Sequence, residues 1–148
     1  KQYYPDFAFG ARTKVYRQVG KDLQKRYPGS SLMTTEIGAI SYHFEGVIHD
    51  AVGLASPAAV KHHPLPRESR VAGYIGAIPS AFVREARPDL IVSYDVFIDT
   101  LRESNVLDEY VQETHSPLLA EDLARVNRAA LWYGEKLNVF IRRDIVED

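Results

Sequence analysis

The 148-residue chain has no cysteine, which removes disulfides, thiolate metal sites and a cysteine nucleophile at once. No run approaches the roughly 18 apolar residues of a spanning helix, and no leader pattern opens the sequence. Neither G-x-G-x-x-G nor G-x-x-x-x-G-K-[ST] occurs, so the glycine cradles of dinucleotide and nucleoside-triphosphate sites have no counterpart. H-E-x-x-H spacing is missing, as is a serine in a G-x-S-x-G elbow. His62 and His63 are adjacent, and neighbours on an extended chain point apart, so they do not chelate one ion together. No metal and no cofactor is expected.

What is present is an ordinary globular balance, 45% hydrophobic and 26% charged, in a length that suits one domain. A domain of this size buries about 68–70% of the surface its unfolded chain exposes. The formal net charge of −2 speaks against a nucleic-acid partner. Charge is nonetheless uneven: residues 1–27 carry seven Lys or Arg against two acids, and the remainder eleven against eighteen. That basic start is either a solvated helix face or a segment set against anionic head groups.

Residues 11–27 show a helical period, with Val15, Val19, Leu23 and Tyr27 on one face, and Pro28-Gly29 stops it. The pattern then predicts a strand at 31–35, a short helix at 37–44 starting around Glu36 and Gly38, and a strand at 47–49. Residues 51–65 read as loop, and 79–86 as a helix with Pro79 at its first position. Leu90, Ile91, Val92, Ser93 and Tyr94 form the best strand, nearly continuous in apolar residues as a buried parallel strand requires. Asp95 is expected to cap a helix that buries Phe97, Ile98 and Leu101. Residues 110–114 and 137–142 alternate as half-buried strands do, and 118–130 is helical or irregular. Alternating helix and strand predicts one α/β domain over residues 1–148. Its fold is three-layer and Rossmann-like: a mostly parallel sheet with helices on both faces, the two late strands at an antiparallel edge.

Glu36, Asp50 and Tyr94 fall at the carboxyl ends of the three candidate parallel strands, the rim where open α/β sheets bind ligands. Glu36 and Asp50 there either bind sugar hydroxyls, hold a hard cation, act as an acid/base pair, or accept backbone N–H groups from the following turns. Gly38, Gly46 and Gly53 have a backbone reading: positive φ or close chain approach.

The blocks E-I-G-A-I-S-Y-H-F at 36–44 and H-D-A-V-G-L-A-S-P at 49–57 add a family resemblance. Together with the P-D-L-I-V strand at 88–92, they resemble the soluble carboxyl-terminal domain of bacterial GT-C-class membrane glycosyltransferases. These are polyprenyl-phosphate-sugar-dependent enzymes related to protein mannosyltransferases and aminoarabinose transferases. Glu36, Gly38, Tyr42, Asp50, Gly53, Leu54, Ser56 and Pro57 match. The chain departs at His43, where a second tyrosine is common, and its tail beyond about residue 100 matches nothing in the pattern.

The resemblance implies an accessory domain on the extracytoplasmic (periplasmic) face of the inner membrane. Its partner would be the membrane portion of the same polypeptide, and it would assist binding of the acceptor or lipid-linked sugar. Family catalysis lies in the membrane portion, so no catalytic residue is expected here. Glu36, Gly38, Tyr42, Asp50, Gly53 and Tyr94 are the candidate binding residues. Met33 as the sole methionine and Lys1 as the first residue agree with an excised domain. Two alternatives stand beside this one: a small hydrolase of sugar or phosphate esters using Glu36 and Asp50, and an envelope protein-binding module.

Overall fold

The computed structural model describes residues 7–70, 77–115, 134 and 136–146. The chain opens with helix α1 (Phe7–Arg26), whose last turn carries Lys25 and Arg26, the charge sign that a helix carboxyl end favours. Gly29, at φ +78°, turns the chain out of it. Then follow β1 (Leu32–Thr34), α2 (Ile37–Ser41), β2 (Ile48–Asp50), α3 (Pro57–Val60), α4 (Ser80–Ala86), β3 (Leu90–Tyr94), α5 (Asp95–Arg102), β4 (Tyr110–His115) and β5 (Leu137–Arg142). Residues 1–6 and 118–130 lie outside the described part.

The five strands form one mixed sheet in the order β2-β1-β3-β5-β4. β1 pairs in parallel with both β2 and β3, while β5 runs antiparallel to both β3 and β4. The expectation of a mostly parallel sheet is therefore corrected. The two late strands do extend one side of the sheet antiparallel, beyond β3, with β5 internal and β4 at the edge.

The reason is legible in burial. Leu137 to Ile141 are all buried, as an internal strand demands, whereas β4 alternates in and out like an edge strand. Asn138 imitated the polar half of an alternation. It is in fact buried and satisfied, its amide donating to Asp95 Oδ1 at 2.8 Å and its carbonyl accepting from Gln112 at 2.7 Å.

Each face of the sheet has its own core. On one, Tyr16, Val19 and Leu23 of α1, Tyr27 just after it and Ile40 of α2 pack on Leu32, Leu90, Val92, Leu137, Val139 and Ile141. On the other, Phe82 and Val83 of α4 and Ile98 and Leu101 of α5 pack on Met33, Ile91 and Phe140. Each fully buried large apolar side chain contributes about 1.5–3 kcal/mol, so this double burial is what holds the short strands flat between helices.

The amino-terminal edge of the parallel strands is fixed by Asp89. Its Oδ2 accepts from the Ser31 N–H and hydroxyl at 2.7 and 2.9 Å, and its Oδ1 pairs with Arg142 at 2.8 Å. One carboxylate thus ties the ends of β1, β3 and β5 together. Gly46 is required by close approach, since a Cβ there would run into the Ser30 carbonyl oxygen and the Phe44 ring.

Candidate functional site

β1 lies between β2 and β3, so the strand order reverses at β1, and the carboxyl ends of β1 and β3 form the rim where sheets of this kind bind ligands. All six candidate residues lie at this end of the sheet or on the helix that leaves it. They fall into three separate pairs.

Glu36 and Tyr94 come together through α1. Glu36 Oε1 pairs with Arg12 at 3.0 Å, and both side chains are largely buried. Tyr16 packs edge-on against Tyr94, ring centroids 5.6 Å apart, in the same pocket of the core. Burial, and after it the nearby Glu36 and Tyr94, push the Tyr16 phenol well above its usual range. Burial likewise raises the Glu36 carboxyl, against the opposing pull of Arg12 and of the Tyr16 hydroxyl. Glu36 Oε2 and the Tyr16 hydroxyl are buried facing groups, and neither completes a well-formed hydrogen bond among the described residues. Across the sheet from them, Thr35 and Ser93 join β1 to β3 through a buried hydroxyl pair at 2.8 Å.

Asp50 and Gly53 form a loop of their own. Asp50 is buried, its Oδ1 accepts from the Val52 N–H at 3.1 Å and its Oδ2 from the Ala55 N–H at 2.7 Å. The Asp50 N–H donates to the Ser56 hydroxyl at 2.8 Å, and the Gly53 N–H to the Asp50 carbonyl at 3.2 Å. Gly53 has φ +86°, a conformation that favours glycine, so the turn chemistry accounts for it. Leu54 is left 92% exposed at the tip. Asp50 and Glu36 share a rim, yet each carboxylate is engaged by its own partners, and they do not converge as an acid/base pair.

Gly38 and Tyr42 line an open depression of about 260 Å³ between α1 and α2, with Thr13, Arg17, Ala39 and His43. Gly38 corrects its backbone reading: its φ is not positive, and a Cβ would meet nothing within 4 Å. Tyr42 is 84% exposed, with the His43 ring edge-on at 5.1 Å. The α2 helix ends at Ser41, shorter than the 37–44 expected.

The family model decides the kinship, matching residues 4–140, from before α1 well into β5. The chain belongs to the family described as a domain of unknown function (DUF8728). No curated protein and no solved structure matches it. The family match spans the tail beyond residue 100 as well as the blocks around Glu36 and Asp50.

Two participants escaped the sequence reading, and a third has another role than expected. Arg12 belongs to the basic segment read as a solvated face or a headgroup contact, yet it turns inward to Glu36. Tyr16 was passed over although its spacing of three and seven from Val19 and Leu23 places it on the buried face. Asp95 was expected as a cap; α5 instead begins at Asp95 without a side-chain cap bond, and the carboxylate serves Asn138 and Arg102. His62 and His63 go to separate partners, Glu85 and the Ala51 carbonyl. Among the described residues no group of three His, Asp or Glu could hold a metal ion.

Proposed function

We propose that this chain is an accessory domain of a membrane glycosyltransferase-like protein of the polyprenyl-phosphate-sugar-dependent class. It works on the extracytoplasmic face and assists acceptor or lipid-linked donor binding without turnover of its own. The observation that carries this reading is the 50–57 loop. Both Asp50 oxygens and the Ser56 hydroxyl are spent on the loop's own backbone, while Leu54 stands exposed at the tip. A loop so fully hydrogen-bonded presents its leucine as a rigid apolar contact at little entropic cost, which suits docking against the membrane portion of the same polypeptide. The same reading takes the β2-β1-β3 half of the sheet as a Rossmann-like unit whose rim faces that portion.

The alternative, a sugar- or phosphate-ester hydrolase, asks Asp50 for a free carboxylate oxygen. The loop bonds compete directly with that role, so the accessory reading is preferred. Two measurements test it. The gene should encode several hydrophobic spans adjoining this domain; a reading frame that has none ends the proposal. Leu54→Asp in the intact protein should lower sugar transfer at least tenfold while the isolated domain melts as before, because so exposed a side chain contributes within about 0.5 kcal/mol to folding. Unchanged transfer would remove the role given to the loop.

A further inference from the structure

Helix α1 carries a second face that neither the core nor the rim explains. At 100° per residue, Lys14, Arg17, Lys21 and Lys25 fall within an arc of about 80°, opposite Tyr16, Val19 and Leu23. All four are exposed, and none pairs with a carboxylate among the described residues. Asp22 and Glu36 are taken by Arg26 and Arg12, and Glu45, whose N–H donates to Gln24 Oε1 at 2.8 Å, is an exposed acid beside the helix that pairs with none of the four. The row is about 17 Å long at 1.5 Å per residue. It borders the depression between α1 and α2, where Arg17, His43 and the exposed Tyr42 meet over Gly38.

We propose that this face of α1, with the adjoining depression, is a docking surface for the headgroups of an anionic phospholipid bilayer. The proposal stands independently of the glycosyltransferase reading. Four cations that form no ion pair among the described residues, in a straight, solvent-facing row, match a plane of negative headgroups, where each contributes through attraction to the surface potential. An exposed tyrosine beside them is the residue type that settles at headgroup depth, with an apolar ring and a polar tip. The depression is open, without the buried donors that would enclose a free phosphate. A net charge of −2 and a single short basic row favour a charged surface met on one side over a nucleic-acid duplex. Partial desolvation, then Lys21 and Arg17, lower the His43 pKa, so the positive field of the row reaches into the depression.

The test is co-sedimentation of the full chain with vesicles of phosphatidylcholine alone, or with a third of phosphatidylglycerol. Binding is expected only to the anionic vesicles, and should vanish between about 0.01 M and about 1 M salt, as the screening length falls from about 30 to about 3 Å. The triple variant Lys14→Gln, Arg17→Gln, Lys21→Gln should partition on the order of 100-fold more weakly, with unchanged melting. The charge-preserving pair Lys14→Arg and Lys21→Arg should bind as the wild type does. Equal binding to neutral vesicles, no binding at low salt, or a triple variant that binds normally would each overturn the proposal. So would displacement from vesicles by inorganic pyrophosphate at constant ionic strength, which would mark a discrete phosphate site instead.

Discussion

Asp50 is a carboxylate whose work is visible in full: two backbone N–H groups end on it, and its own N–H ends on Ser56. Asp50→Ala would strand those donors in a buried turn at a cost of about 2 kcal/mol. For a chain of this length that is a drop of roughly 4–8 °C in melting temperature, measurable by calorimetry. Glu36 behaves differently. Unfolded, it titrates near 4.5; folded, burial holds its proton to higher pH despite Arg12. Its contribution to stability is therefore complete below 4.5 and is lost as pH rises through the raised value. The melting temperature of the wild type minus that of Glu36→Gln should fall as pH rises from about 4 to about 7. A difference that grows with pH would mean that the Arg12 ion pair outweighs burial. Glu113 has the opposite sign. Its bidentate pair with Arg26, at 2.7 and 3.0 Å, holds its pKa below 4.5. Its stabilisation is present above 4.5 and fades as pH falls through the lowered value; partial exposure limits it to under about 1 kcal/mol.

Among the elements, α2 and the turn after it offer a paired test. Gly38→Ala in α2 places a methyl in open space and removes backbone freedom from the unfolded chain, so it should stabilise by about 0.5–1 kcal/mol. Gly46→Ala drives a methyl into the Ser30 carbonyl and should destabilise by about 1–3 kcal/mol or more. Denaturant melts of the two variants should move in opposite directions. Most elements were readable because their signals are local: the four-residue recurrence of α1, the apolar run of β3 and the proline before α4 all mark real boundaries to within a few residues, whereas the one-turn α3 lies in a stretch read as loop. The strand order was not readable. Nothing in residues 137–142 states that they insert beside β3, and Asn138 disguises an internal strand as an edge because its partners, Asp95 and Gln112, are distant in sequence. The rim suffered in the same way. Its strand-end residues could be placed by counting, but Arg12 and Tyr16 reach Glu36 and Tyr94 from α1, a contact that only the packed helix reveals.

At the scale of the molecule, the sheet is buried on both faces, the carboxyl-end rim is internally satisfied on its Asp50 side, and the outward features are Leu54, Tyr42 and the basic face of α1. At this rim Asp50 serves its own turn and Glu36 faces an arginine. The proposal to test is that the domain assists transfer without catalysing it. The direct measurement is sugar transfer from a polyprenyl-phosphate donor, made on the proposed intact protein, on that protein lacking this domain, and on the purified domain alone. The account predicts transfer by the first, a loss of at least tenfold in the second, and no turnover of donor or of sugar-phosphate esters by the third. Ester hydrolysis by the purified domain that disappears in Glu36→Gln or Asp50→Asn would contradict it.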